Sequence, residues 1–151
     1  MSSQAAPAPL LTTDEVTRLI DEAFPEIHAG GRRIRIVSVA HNEAQVYLEL
    51  DASALRPGGT VSGPTLFLLA DFSIYVALLA TLGPNAIQAV TSNLNITFLR
   101  RPEPADIEAT ARLIRVGRRL AYAEVALRSV GAPEVVAHAT GTYAVPKGAV
   151  A

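Results

Sequence analysis

The sequence contains no cysteine and no tryptophan, and only one methionine. Lack of cysteine excludes a disulfide framework, cysteine-ligated metals and thiol nucleophiles; it fits a reducing compartment, so a cytoplasmic location is the expectation. Aromatic residues make up 5% of the chain, and 13 basic residues stand against 14 acidic ones. That balance offers no broad electrostatic footprint for nucleic acid or an anionic membrane, and neither is expected as a partner. Three histidines, His28, His41 and His138, are scattered without metal-ligand spacing, so no metal site is expected. Met1 to Pro9 has neither a basic n-region nor an apolar h-region and does not read as a secretory signal.

What the chain does have is apolar content: 50% hydrophobic residues over 151 positions, enough for one core without staples. Residues 1–11, small and rich in Ala and Pro, read as a disordered tail, and 12–147 as a single domain. The organising stretch is Gly63 to Leu82. Pro64 suits a first helical turn, Gly83-Pro84 stops the helix, and from Leu66 to Leu82 apolar side chains occupy every face. At about 1.5 Å per residue the apolar run approaches the lower limit for crossing a bilayer. Asp71 near its middle, and the strands that would have no core without it, favour a buried central helix instead. An ionised carboxylate there is costly unless it is paired or does chemistry, and spacing alone leaves both readings open.

Around this helix the other elements read as wrapping. Thr12 with Glu15 forms a capping box for a helix running to Ala23, with Val16, Leu19, Ile20 and Ala23 on one face. Arg33 to Val39 and Ala44 to Asp51 are short extended runs joined at His41-Asn42-Glu43, a hairpin. After the helix come four more runs, Ala89 to Arg100, Asp106 to Val116, Leu120 to Val130 and Val135 to Val145, with Pro- or Gly-marked turns between them. Their alternation demands an antiparallel sheet with one buried face, and their succession suggests a meander. The architecture is α+β, a curved antiparallel sheet wrapped around one helix.

This order, with particular residues, resembles the hotdog fold and its PaaI-like acyl-CoA thioesterases over Arg33 to Pro146. The carriers are Gly59-Thr60-Val61-Ser62-Gly63 leading into Leu69-Ala70-Asp71, then Val90-Thr91-Ser92-Asn93-Leu94-Asn95-Ile96-Thr97-Phe98-Leu99-Arg100. Val116-Gly117-Arg118-Arg119-Leu120-Ala121 and Ala137-His138-Ala139-Thr140-Gly141-Thr142-Tyr143 complete the set. The resemblance implies hydrolysis of acyl-CoA thioesters, with Asp71 as nucleophile or general base and the Gly63 N–H as oxyanion donor. It also implies that Thr91 holds the hydrolytic water from across a dimer interface. Thioester cleavage needs such a base or nucleophile and a donor for the developing negative oxygen.

Ser62 stands where many relatives have His, and Arg56 where many have Asn; either can still meet a polar part of the substrate. Tyr75, one turn beyond Asp71, lines the acyl pocket or packs in the core. Arg100, Arg101, Arg118 and Arg119 lie near strand ends, where they meet CoA phosphates or are simply solvated. No cofactor is implied beyond the CoA carried by the substrate. A homodimer, or a homotetramer built as a dimer of dimers, follows from the resemblance and from the sheet edges a small fold leaves open. The alternative is a hotdog protein that binds acyl-CoA or another small ligand without hydrolysing it. Hydratase chemistry ranks last, since no histidine lies between Asn42 and Ala137.

Overall fold

The computed structural model describes residues 7–150. Of the tail expected over residues 1–11, residues 1–6 lie outside that range. Leu10 and Leu11 lie within it and are tied down, both N–H groups reaching the Ala80 carbonyl at 2.8 and 3.2 Å. Helix α1, Thr13–Ala23, starts as its sequence dictates: Thr12 Oγ1 accepts the Glu15 N–H at 3.2 Å and Glu15 Oε1 accepts the Thr12 N–H at 3.1 Å. Its buried face is Val16 and Ile20.

Strands β1 (Ile34–Ala40) and β2 (Glu43–Leu48) form the expected hairpin, with Asn42 at φ 64° in the turn, a left-handed conformation that Asn tolerates. The Asn42 N–H donates to Thr81 Oγ1 at 2.9 Å, pinning that turn to the end of the central helix α2, Gly63–Leu82. Every residue of α2 from Phe72 to Thr81 is buried. The helix is long and apolar enough to cross a membrane by composition, but here the chain's own sheet covers it. Each fully buried Leu on it contributes roughly 1.5 to 3 kcal/mol of transfer free energy.

The rest of the sheet is β3 (Val90–Phe98), β4 (Ile107–Val116), β5 (Leu120–Ser129) and β6 (Val135–Ala144). All pairings are antiparallel, in the order β1-β2-β4-β5-β6-β3. This corrects the expected meander. Strand β3 pairs with β6, and the Pro-containing segment after it carries the chain across to β4, which pairs with β2. Alternation says which face of a strand is buried and is silent on its neighbours, so pattern alone could not show the crossover.

Small side chains let the sheet close on α2. The inward positions Ala109, Ala111, Ala121, Ala123, Ala137 and Ala139 are buried almost completely. At Gly141 the approach is tighter still: an added Cβ would lie 2.8 Å from Ile74 Cδ1 and 2.7 Å from Leu94 Cδ1. One edge strand, β1, packs against α1. The other, β3, carries no charge and no proline in nine residues, and Val90 and Phe98 are 60% and 53% exposed.

Candidate active site

Asp71 sits half-buried in the first half of α2, and two hydroxyls converge on it. Tyr143, on β6 and 3% exposed, donates toward Asp71 Oδ1 at 2.6 Å and the Asp71 carbonyl oxygen at 2.8 Å. Thr91, on β3, donates to the same Oδ1 at 2.7 Å. Register explains the meeting. Thr91 pairs with Tyr143, and a bulge between Thr91 and Asn93 lets both Thr91 and Leu94 sit opposite inward-facing residues of β6. Burial, with the Asp71 charge second, pushes the Tyr143 hydroxyl well above its ordinary range, so it stays a donor at any working pH. Both donors fall on Oδ1, and Oδ2 is left free of protein partners among the described residues.

Asp71, Thr91 and Tyr143 together line a cavity of about 350 Å³. Its walls are apolar and aromatic, chiefly Leu68, Phe72, Tyr75, Ile87 and Val90, with Phe24 from the end of α1. Phe24 meets Tyr75 edge to face, centroids 6.4 Å apart and planes at 88°. Tyr75 is 9% exposed and its hydroxyl donates to the Ile87 carbonyl at 2.6 Å, so it is both core and pocket wall. A carboxylate in the wall of an apolar cavity suits a substrate with an electrophilic carbon and a greasy acyl tail.

Gly63 opens α2, eight positions before Asp71 and about 12 Å from it along the helix axis. The first turn's donors are otherwise accounted for. Pro64 has none, Thr65 N–H goes to Ser62 Oγ at 3.3 Å, and Leu66 N–H to the Ser62 carbonyl at 3.2 Å. Among the described residues no acceptor takes the Gly63 N–H. Gly63 lies against the Phe98 ring: an added Cβ would lie 3.2 Å from Phe98 Cζ, a contact that the ring relieves only by shifting a few tenths of an ångström. One chain therefore holds Asp71 and the free helix-start donor at separate places.

The remaining candidates fall elsewhere. Thr91, which the resemblance would bring from across a dimer, reaches Asp71 of its own chain. Ser62 is the N-cap of α2, and its hydroxyl is also paired with Thr65 Oγ1 at 2.7 Å. Arg56 is exposed on the loop leading to α2. Arg100 lies at the far end of β3, 3.7 Å from Glu134, and Arg101 donates to the Gly58 carbonyl at 3.2 Å. Arg118 and Arg119 line a different cavity with Lys147. Tyr143 is the partner of Asp71 that sequence reasoning missed. Its signal was present: on the inward face of β6, among Ala137, Ala139, Gly141 and Val145, it is the one residue bearing a hydroxyl. Among the described residues no group of three His, Asp or Glu side chains is placed to hold a metal.

A family model of the thioesterase superfamily matches residues 58–136, the segment carrying the start of α2, Asp71, Thr91 and the central strands. The chain belongs to the thioesterase superfamily. Membership assigns it to acyl thioester hydrolysis in general. Among solved structures it is similar to a presumed thioesterase of a Silicibacter species, with 40% identity, 91% of this chain and 94% of the other covered, and a TM-score of 0.82. It is also similar to a point mutant of the phenylacetic acid degradation protein PaaI from Thermus thermophilus, at 31% identity over 81% of this chain and 99% of that one, TM-score 0.68. A presumed esterase of Sulfurisphaera tokodaii is 28% identical over 116 residues, 77% of this chain and 84% of its own length. The fold is the hotdog fold, and the thioesterase kinship is PaaI-like.

Proposed function

We propose that the protein hydrolyses acyl-CoA thioesters, with Asp71 as the reacting carboxylate. The observation that carries this reading is the two-donor clamp on Oδ1 of Asp71, a carboxylate that lines an apolar cavity and keeps Oδ2 free of protein partners among the described residues. Two routes share that geometry. As nucleophile, Oδ2 bonds to the thioester carbon, the C–S bond breaks, and water later cleaves the acyl-aspartate. As general base, Oδ2 takes a proton from water while its oxygen adds to that carbon; the C–S bond then breaks and the thiolate takes up the proton.

In either route the carbonyl oxygen becomes negative and needs a donor. The unpaired Gly63 N–H at a helix N-terminus suits it, but its own chain keeps it too far from Asp71. A second copy supplies it. Strand β3 is an uncharged, unguarded edge whose free N–H and C=O groups invite an identical strand. Antiparallel pairing with the two-fold at Asn95 lays Phe98 of the second copy beside Thr91, since the bulge takes Ser92 out of the ladder. Gly63 packs on Phe98 and Thr91 bonds Asp71, so that pairing carries the second copy's helix start to the first copy's carboxylate. The functional unit is a homodimer with two composite sites, and assembly to a dimer of dimers is compatible with it.

Thiol release from a panel of aryl-, short- and medium-chain acyl-CoAs tests the function, with wild type and Asp71→Asn side by side. Turnover that falls by at least about a thousandfold in the variant, with folding retained, is the expected result. Acyl-CoA binding without thiol release by the wild type would replace hydrolysis with the non-hydrolytic binding reading.

A further inference from the structure

The cavity beside Asp71 has a neighbour, a second cavity of about 300 Å³ whose lining includes Ile34, Leu48, Ala54 and Thr65. Phe24, Ile27 and Leu68 line both. Those three side chains form the partition between two spaces that lie along one stripe of α2, on which Thr65, Leu68, Phe72 and Tyr75 recur at helical spacing. Ile34, Leu48 and Ala54 are buried, so the inner wall of the second cavity is apolar.

The partition sets a length. Asp71 lies three positions after Leu68 and four before Tyr75, about 4.5 and 6 Å along the helix axis. An extended alkyl chain advances about 1.2 Å per bond, so an acyl chain with its carbonyl at Asp71 meets Leu68 and Phe24 after about four carbons in one direction. In the other it meets Tyr75 after about five. There the Tyr75 hydroxyl donates to the Ile87 carbonyl at 2.6 Å and ties that end shut. Thr65, in the second cavity, stands about 9 Å from Asp71 along the axis, the level of about the eighth carbon. The side chains in between can be trimmed without opening the core: Phe24 and Leu68 are 39% and 46% exposed. The Phe24 ring meets Tyr75 edge to face, while its backbone is held separately, its N–H donating to the Ile20 carbonyl at 2.7 Å and Pro25 restricting the chain that follows.

Resting on the acyl-CoA hydrolase reading, we propose that Phe24, backed by Leu68, is a specificity-determining residue: it ends the acyl cavity at about four carbons and shuts longer chains out of the apolar space behind it. A longer chain must push the ring off Tyr75 before it gains the second cavity, whereas a chain that stops at the partition displaces nothing. The second cavity is thus length that the wild type holds closed.

The test compares wild type with Phe24→Ala and with Leu68→Ala, each checked for folding by a melting curve. Two readouts are taken: kcat/KM for decanoyl-CoA relative to butanoyl-CoA, and the affinity for S-decyl-CoA relative to S-butyl-CoA, thioethers that cannot be hydrolysed. In both variants the longer ligand is expected to gain at least about tenfold on the shorter one, the equivalent of roughly two further buried methylenes. Unchanged ratios in folded Phe24→Ala overturn the proposal, and so does a wild type that already prefers the longer ligand. Should Phe24→Ala fail to fold, Leu68→Ala decides in its place by the same criterion. Should the wild type hydrolyse neither thioester, the hydrolase reading falls, and the thioether titrations still decide whether Phe24 limits chain length; binding of neither thioether overturns that as well.

Discussion

Tyr143 holds Asp71 at two points, its hydroxyl lying 2.6 Å from the carboxylate Oδ1 and 2.8 Å from the same residue's backbone oxygen. A side chain on β6 is thereby locked to both the main chain and the carboxylate of one residue in α2. The hydroxyl has one proton for these acceptors, and Thr91 supplies a second donor to Oδ1 at 2.7 Å. Under the proposed hydrolysis Tyr143 is a positioning residue, orienting Asp71 from the wall of the cavity they share.

Tyr143→Phe keeps the ring and removes the clamp. We expect kcat to fall about tenfold to a hundredfold with KM for acyl-CoA changed little, because a misaimed nucleophile or base costs the chemical step. A loss of stability of about 1 kcal/mol accompanies the lost hydrogen bond. Steady-state kinetics with a melting curve check both. Retention of wild-type kcat, or a rise in KM with kcat intact, would remove Tyr143 from the catalytic arrangement and leave it a wall of the cavity.

How much of this could be read before the structure depends on the range of the interaction. The capping box at Thr12, the length of α2 and the inward alternation of β5 are local, and each appears where residue chemistry puts it. Strand neighbours are not local: the path from β3 to β4 depends on which edges are free once the helix is packed, and no short-range pattern encodes that. The site divides in the same way. Asp71 announces itself as a lone carboxylate in an apolar helix. Tyr143 lies 72 residues further on and meets it only through the β3 to β6 pairing. Ser62, conspicuous in sequence as the substitute for a histidine, spends its hydroxyl on the helix cap and on Thr65.

The composite site makes a prediction by symmetry. Asp71→Asn and Gly63→Pro are each expected to abolish turnover, the second by removing the oxyanion donor, with the 53% exposed Phe98 side chain shifting to admit the added ring. Ser62 is already extended at φ −70°, ψ 147°, the conformation a following proline requires. Refolding the two inactive chains together should restore activity to about one quarter of wild type, since half the dimers are mixed and each mixed dimer has one intact site. Assays of the separate chains and of the mixture check it. A mixture that contains mixed dimers by mass and stays inactive would mean that both groups must act within one chain.

The register of the proposed interface can be tested with the chemistry the chain lacks. There is no cysteine, so a single introduced one has no competing partner. Asn95→Cys, on the two-fold, faces its own copy, and residues directly opposite on antiparallel strands have Cβ atoms about 4.5 to 5.5 Å apart, close enough to crosslink after a small shift. Mild oxidation should convert most of this variant to a covalent dimer on a non-reducing gel. Thr97→Cys lies about 13 Å from its symmetry mate at the rise of a strand and should crosslink poorly. The reverse preference would move the two-fold, separate Phe98 of the second copy from Thr91, and undo the placement of Gly63 at Asp71.

Acid sensitivity is expected to arise at the crossover to β4. There Asp106 accepts the Leu50 N–H at 2.8 Å and the Tyr47 hydroxyl. These two bonds, the backbone one first, hold its carboxyl below the ordinary range against the opposing effect of burial. A carboxylate lowered in the folded state contributes stability that is present above the unfolded value of about 4 and is lost as pH falls through the folded value. Glu15, Asp21 and Asp51 are lowered as well and add to the same slope. Asp106→Asn keeps an acceptor oxygen but cannot titrate, so its melting temperature should lie below wild type at neutral pH, with the gap closing as pH falls below about 4. Thermal melts across that window decide the matter: a constant gap between the two curves would show that Asp106 stabilises the crossover through shape and neutral hydrogen bonding, with its charge contributing nothing.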